Sequence, residues 1–347
     1  LSQQDNNPDQ ASHNLVRPTL KTISQLSGFA VPTVSRALSD APDIGAETKK
    51  TVCRIADEIG YVPNRAGLRL RTGRTNVISL VLPIENDVMN HTAQLIEGIA
   101  SELRNTAYHL NVTPWFSGED PMKPVRYIVE TKSADALILN ATTPQDPRVK
   151  YLMERNFPFA THGRTDWSSD HPYFDFDNTA FAYGGLKKLA MRGRSRIFAI
   201  LPPKDQFYSQ CMAQGLKHAS DETGVSVRIC DKIRSDSPAE TVRDRILEVL
   251  QKDPSIDGIF VGSTVASLAA IDAVDTFELS FPDQARQIDV FGKESIPFRS
   301  LFRKELLSMH EDVRRAGRFL AEAVLQSIKY PDKPPLQELE KPLEVLP

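Results

Sequence analysis

The sequence is poor in the residues that staple a secreted scaffold or build a thiolate metal module. Its 347 residues hold only three cysteines, Cys53, Cys211 and Cys230. They are odd in number and far apart, which argues against both a disulfide framework and a zinc motif. Of the seven histidines, His162 is open to a pH-sensing or a merely structural role, and the six others lack metal-ligand spacing, so no metal site and no cofactor are expected. No apolar run is long enough to span a bilayer. The first sixteen residues are polar and lack the apolar core of a secretory leader. They are expected to form a disordered tail, and a reducing cytoplasm is the expected compartment. Neither charge dominates overall, the net value being −3, but the balance is uneven. Residues 17–76 contain ten Lys/Arg against five Asp/Glu, while residues 77–347 are acidic by six. A basic head on an acidic body fits a protein that meets nucleic acid at one end.

The stretch PTLKTISQLSGFAVPTVSRAL, residues 18–38, predicts two short helices joined by a tight turn. Thr19 is a natural N-cap. Leu20, Ile23 and Leu26 recur at helical spacing and suggest one apolar face. Gly28 closes that helix, since glycine readily takes the left-handed conformation. Pro32 suits the first turn of the next helix, where a missing N–H costs nothing. On that helix Val31, Val34, Ala37 and Leu38 fall together as a back. Pro32, Arg36 and Ser39 form a front flanked by Thr33 and Ser35. A short helix with a packed back and a small, polar, basic front suits the major groove. An ordinary helical hairpin would share the pattern, so the next residues matter. Ala46–Ile59 predicts a third helix with Val52, Ile55, Ala56 and Ile59 on one face, ended by Gly60. Pro63-Asn64 then breaks the chain, and Arg65–Arg71 has the length of one or two helical turns. Such a piece is too short to be stable alone.

Taken together, TVSRAL at 33–38, ETKKTV at 47–52, GYVPN at 60–64 and RTGRTN at 71–76 resemble the DNA-binding head of the LacI (lac repressor) family of bacterial regulators. The resemblance implies a helix-turn-helix domain over residues 17–62 and a hinge over 63–75. It implies DNA contacts from Val31, Pro32, Thr33, Ser35 and Arg36, and from Asn64, Arg65 and Leu70 in the hinge. Two positions depart from the family. Ala30 stands where relatives carry a serine cap. Gly67 replaces alanine and should weaken the hinge helix by roughly 1 kcal/mol.

From Asn76 onward, short aliphatic runs alternate with amphipathic helix patterns. Strands are expected at 77–82, 108–112, 136–139, 159–162, 174–176, 197–201, 225–230, 258–261 and 288–291. Helices are expected at 92–106, 123–131, 178–192, 208–223, 239–252 and 266–275. This alternation predicts parallel sheets covered on both faces. The resemblance, continuous to the C-terminus, implies an α/β periplasmic-binding-protein-like body of two Rossmann-like lobes over residues 76–347. Lobe 1 would take about 76–175 and 305–334, and lobe 2 about 176–304 and 335–347. The chain would cross near 175–178, 305 and 335.

Ligands of open α/β sheets bind at the carboxyl ends of strands. That rule selects Asn140, His162, Arg164, Ser263 and Glu294, with Tyr208 and Gln210 opening a helix. Trp115, Phe207 or Tyr208 would offer an aromatic face. Against the family's usual sugar-binding set, Met212 replaces arginine, Gly163 and Ser263 replace aspartate and asparagine, and Glu294 replaces aspartate. A neutral mono- or disaccharide is the expected effector. Polar residues at strand ends also serve as caps. Asp175 and Asp177 share one face of a strand and would suit a cation, but Asp177 and Asn178 read best as shaping a crossover and capping a helix. Gly184-Gly185 lies inside a helix pattern, so it makes a poor phosphate loop. Ser209 and Cys211 have no evident base partner, and no catalytic set is expected. A homodimer on a palindromic operator is expected, because a two-fold protein matches a two-fold site. Two other classes stand beside this reading. A solute receptor would leave the basic head unexplained, and a sugar-processing α/β enzyme would need a nucleophile-base or metal set.

Overall fold

The computed structural model describes residues 18–62, 69, 73–84, 88–116, 118–295 and 306–344. The chain divides at Thr75–Asn76 into two compact units.

The first unit holds α1 (Leu20–Ser27), α2 (Val31–Leu38) and α3 (Ala46–Glu58). Thr19 and Thr22 cap α1 reciprocally: the Thr22 N–H donates to Thr19 Oγ1 at 3.3 Å and the Thr19 N–H to Thr22 Oγ1 at 3.1 Å. Gly28, at φ 74°, closes the helix with its N–H on the Ser24 carbonyl. Helix α2 starts with a proline in its first turn and with Ala30, which supplies no side-chain cap. Ile23, Val34, Ala37, Val52, Ile55 and Ala56 form the core. Leu26 is an exception to the expected apolar face, being 58% exposed. It lies three residues past Ile23, on a flank left exposed by the described helices. Asn64, Arg65 and Leu70 lie outside the described residues.

The second unit contains two six-stranded sheets. The first is ordered β11-β5-β4-β3-β1-β2, from β1 (Val77–Ile84), β2 (His109–Phe116), β3 (Ala136–Leu139), β4 (Phe159–His162), β5 (Tyr173–Phe176) and β11 (Gln337–Glu340), all parallel. One face is covered by α4 (Val88–Leu103) and α11 (Val313–Lys329), through Leu95, Ile99, Val313 and Leu320. The other is covered by α5 (Met122–Thr131) and α6 (Pro147–Met153), through Val125, Ile128, Val149 and Leu152. Burial on both faces explains the continuous apolar runs of β1 and β3. Strand β2 runs four residues past its expected end, through Pro114, because an edge strand tolerates a missing donor.

The second sheet is ordered β12-β10-β9-β8-β6-β7, from β6 (Arg196–Ile200), β7 (Ser226–Ile229), β8 (Gly258–Val261), β9 (Asp289–Glu294), β10 (Leu307–His310) and β12 (Leu343–Glu344). Only β12 is antiparallel to its neighbour. Its faces carry α7 (Asn178–Met191) with α8 (Phe207–Thr223), and α9 (Ala239–Lys252) with α10 (Thr264–Ser280). A Cβ at Gly185 would sit 2.3 Å from the Phe291 ring, so that glycine serves close packing of α7 on the sheet.

Among the described residues the chain passes between the sheets three times. The first passage, at Asp177, is where it was expected. The other two fall about six residues later than expected, at 311–312 and 341–342. Residues 307–310 pair beside β9 in the second sheet, and residues 337–340 pair beside β5 in the first. The three passages are tied together. The Asp177 N–H donates to the Glu340 carbonyl at 2.8 Å and the Asp312 N–H to the Glu340 carboxylate at 3.4 Å. Asp177 and Asp312 cap α7 and α11 with their carboxylates.

Candidate functional site

The carboxyl ends of the two sheets face one cavity. From lobe 1 it is lined by His91, Thr92, Asn140, His162, Gly163 and Asp175, and from lobe 2 by Tyr208, Asp236, Ser263, Thr264, Lys293 and Ser295. Asn178 and Glu311 contribute from the passages between lobes.

Local structure fixes these groups. Arg148 and Asp146 form a buried ion pair at 2.6 Å. Arg148 Nη2 also donates to the carbonyls of Asn140 at 3.2 Å and Ala141 at 2.9 Å, which sets the loop after β3. Gly163, at φ 108°, lets the chain turn beside Thr142, whose hydroxyl donates to the Arg164 carbonyl at 2.9 Å. The Thr142 carbonyl accepts the Phe207 N–H at 2.9 Å, a direct bond between lobes. Ser263 both caps α10 and donates to the Ser235 carbonyl at 2.7 Å.

The floor of the cavity is charged but internally paired. Lys293 Nζ lies 3.0 Å from Glu311 Oε2 and 2.9 Å from Asn178 Oδ1, over the Phe176 ring at 4.5 Å. Burial opposes ionisation of Glu311, but Lys293 and His91 outweigh it and hold the carboxyl well below the usual carboxylate range. Burial, with the nearby His91, pushes His162 down to about 3, so its imidazole is neutral. Burial pushes Asp175 up to about 6 against the pull of Arg164, whose Nε is 2.8 Å away.

Of the expected pocket residues, Asn140, His162, Tyr208 and Ser263 line this cavity. Arg164, Gln210 and Glu294 do not. Arg164 stands behind Asp175, beside the Phe207 ring and 3.9 Å from Cys211 Sγ. Gln210 donates to the Lys204 carbonyl at 3.3 Å and faces a separate pocket with Leu201, Ile229 and Arg234. Two residues along a helix turn a side chain by about 200°, so Tyr208 and Gln210 point apart. Glu294 is buried and accepts from Ser308 Oγ at 2.7 Å. Strand β9 continues three residues past its expected end, and its alternation puts Lys293 and Ser295 in the cleft instead. Met212 is fully buried in the lobe 2 core. Sequence reasoning missed His91, Asp236, Lys293 and Glu311, and considered Asp175 only as half of a cation pair. Of these, Lys293 was detectable from the pleat alone, given the right strand end.

In the first unit the front of α2 is as expected. Pro32 and Arg36 are exposed, Val31, Thr33 and Ser35 half-buried, and Val34 and Ala37 buried. The Arg36 guanidinium is paired with the Asp43 carboxylate across the next turn, and this bond holds Asp43 below its ordinary range. Cys53, Cys211 and Cys230 are all free thiols. Among the described residues no helix is long and apolar enough to cross a membrane.

The model for bacterial regulatory proteins of the lacI family matches residues 19–64, and that for a periplasmic binding protein-like domain matches residues 186–347. The chain belongs to the LacI family. It is 29% identical to the HTH-type transcriptional regulator AglR of Rhizobium meliloti over 92% of this chain and 90% of AglR. It is 33% identical to RafR of Escherichia coli over 60% of this chain and 62% of RafR. Among solved structures, the lac repressor dimer bound to operator and the anti-inducer ONPF superposes at a TM-score of 0.78, with 17% identity, covering 94% of this chain and 97% of that one. A CelR–cellobiose complex superposes at 0.66 with 21% identity, covering 95% and 99%. These solved structures share the fold. This LacI-family chain is therefore a DNA-binding transcriptional regulator, and its relatives are regulators and not enzymes.

Proposed function

We propose that this regulator is a cytoplasmic repressor that binds a palindromic operator as a homodimer and answers to a small carbohydrate held between its lobes. The observation that carries the effector half is the cavity itself. Hydrogen-bonding groups converge on it from both lobes, Asn140, His162 and Asp175 facing Tyr208, Asp236 and Ser263. Amides, carboxylates and hydroxyls of this kind suit a polyhydroxylated ligand, and a ligand gripped from both sides favours one interlobe angle. The charged floor is nearly neutral through its ion pairs, which favours an uncharged sugar over a sugar acid. The cellobiose in the CelR complex is consistent with such an occupant.

On the DNA side, Val31, Pro32 and Arg36 are assigned to base edges and Thr33 and Ser35 to the flanks. Reading DNA requires Arg36 to exchange Asp43 for a phosphate or a guanine. In the hinge, Asn64 and Arg65 hold the backbone while Leu70 wedges the minor groove at the dyad, where unstacking is offset by the contacts that bending permits. A gel shift on genomic fragments, repeated with a panel of mono- and disaccharides, tests the reading. A fragment retained by the protein and released or tightened by one sugar supports it. Retention of no fragment above the non-specific background refutes it.

A further inference from the structure

The floor of the cleft brings together a set of ligating atoms that lie far apart in the sequence. His91 comes from α4, His162 from the end of β4, and Glu311 from the passage between β10 and α11. One ligating atom from each lies within 4.8 Å of the other two. Glu311 Oε1 is 3.9 Å from His91 Nε2, too far for a hydrogen bond. The imidazole centroids are 5.2 Å apart. We propose that His91, His162 and Glu311 form a site for a divalent cation of the zinc class, with its open position facing the interlobe cavity.

The surroundings are those of a ligand set. His162 Nδ1 is 3.3 Å from Asn140 Oδ1, an acceptor already oriented by the Ala141 N–H at 2.7 Å. His162 therefore donates from Nδ1 and keeps its lone pair on Nε2. An outer carbonyl holding the distal N–H is the usual support for a metal-binding histidine. Glu311 has its second oxygen on Lys293, so the carboxylate is oriented and Oε1 is left for an ion. Two imidazoles and one carboxylate, with room for a fourth donor, are a recurrent zinc set. Bonds of about 2.0–2.1 Å at tetrahedral angles separate donors by roughly 3.3 Å. A modest contraction of the trio reaches that distance, and His91, half-exposed near the start of α4, is the ligand free to move.

Lys293 works against the ion. Its ammonium lies on the far oxygen of Glu311 and repels a divalent charge across a short distance. The site is therefore one of moderate affinity, suited to an ion that comes and goes or that is completed by a hydroxyl of the cleft ligand. A bound ion would clamp α4 and β4 to the passage leading into α11, and so bear on the interlobe angle.

The test is a cobalt titration of chelator-treated, full-length protein, followed by visible absorption and then displaced with zinc. One cobalt per chain with low-symmetry absorption bands is expected. His91→Asn and Glu311→Gln should each weaken binding by roughly tenfold or more. Lys293→Met, which removes the opposing charge, should tighten it by roughly tenfold or more. Melting curves without metal confirm that His91→Asn is folded. Absence of saturable binding, binding that survives His91→Asn, or no gain in Lys293→Met overturns the assignment. The titration contains neither DNA nor sugar, so its failure leaves the regulator reading standing.

Discussion

Gly98→Ala offers a quantitative test of how the body is built. Helices α4 and α11 cross with their backbones in contact. A Cβ at Gly98 would lie 2.2 Å from the Arg314 carbonyl oxygen, and one at Gly317 would lie 2.5 Å from that of Leu95. Both obstacles are backbone, so no side chain can turn aside. Relief requires the helices to part by about 1 Å or more at the crossing, and overpacking of this kind costs roughly 1–3 kcal/mol. For a body of this size that is a fall in Tm of roughly 3–10 °C. The same parting moves His91, on α4, away from Glu311, which precedes α11, and so should weaken whatever the cleft floor binds. Gly184→Ala is the internal control. Its Cβ would meet only the terminal methyl of Met309 at 2.8 Å, a flexible tip that can rotate away. Scanning calorimetry of both variants reads the difference. A Gly98→Ala protein that melts with the parent, or a Gly184→Ala protein that melts below it, would refute the reasoning.

Exchanging Val31 and Pro32 for other residues should change which operator is selected from random DNA, whereas Arg36→Ala should weaken every site; an unchanged preference after the double exchange discards the base-reading assignment. Arg164→Ala leaves the buried Asp175 without its partner, and loss of a charged hydrogen bond costs roughly 1.5–3 kcal/mol. Calorimetry should then show weaker sugar binding while the gel shift stays near the parent's, and normal sugar binding would mean that Asp175 does not grip the ligand. Glu340 is pushed from 4.5 up to about 7 by burial and by Glu311, against Arg315 and the Asp312 N–H. A carboxyl raised in the folded state holds its proton there after the unfolded chain has lost it. Its contribution to stability is therefore full below about pH 4.5 and is lost as pH rises through about 7. Urea midpoints taken from pH 5 to 8 should fall less steeply in Glu340→Gln, and equal slopes would exclude Glu340 as the source.

The head was legible because its signals are local. Thr19, Gly28, Pro32 and Gly60 each act within one helical turn, and the structure places caps and stops at those residues. Leu26 was misplaced because spacing alone does not say which flank a neighbour covers. Most strands of the body were legible as apolar runs, but their ends were not. Pro114 hid the length of an edge strand, and the charged pair Lys293-Glu294 hid the last residues of β9. Helix α6 was missed although Asp146-Pro147, a cap followed by a first-turn proline, announced it. The passages at 311–312 and 341–342 were set too early because short strands such as LSMH carry little periodicity. The cleft suffered most. Asn140 and Ser263 follow strands and were found by that rule. His91 and Glu311 meet only through the crossing of α4 with α11, a contact without a local trace.

The central claim is that one ligand in the cleft and one operator at the head are coupled. Thermodynamic linkage makes that coupling reciprocal. With the saccharide chosen from a calorimetric panel, operator affinity should be measured by fluorescence anisotropy with and without the sugar, and sugar affinity by calorimetry with and without the operator. The account predicts that both affinities change by the same factor, about fivefold or more. A sugar that binds the cleft with equal affinity whether or not the operator is present would contradict it.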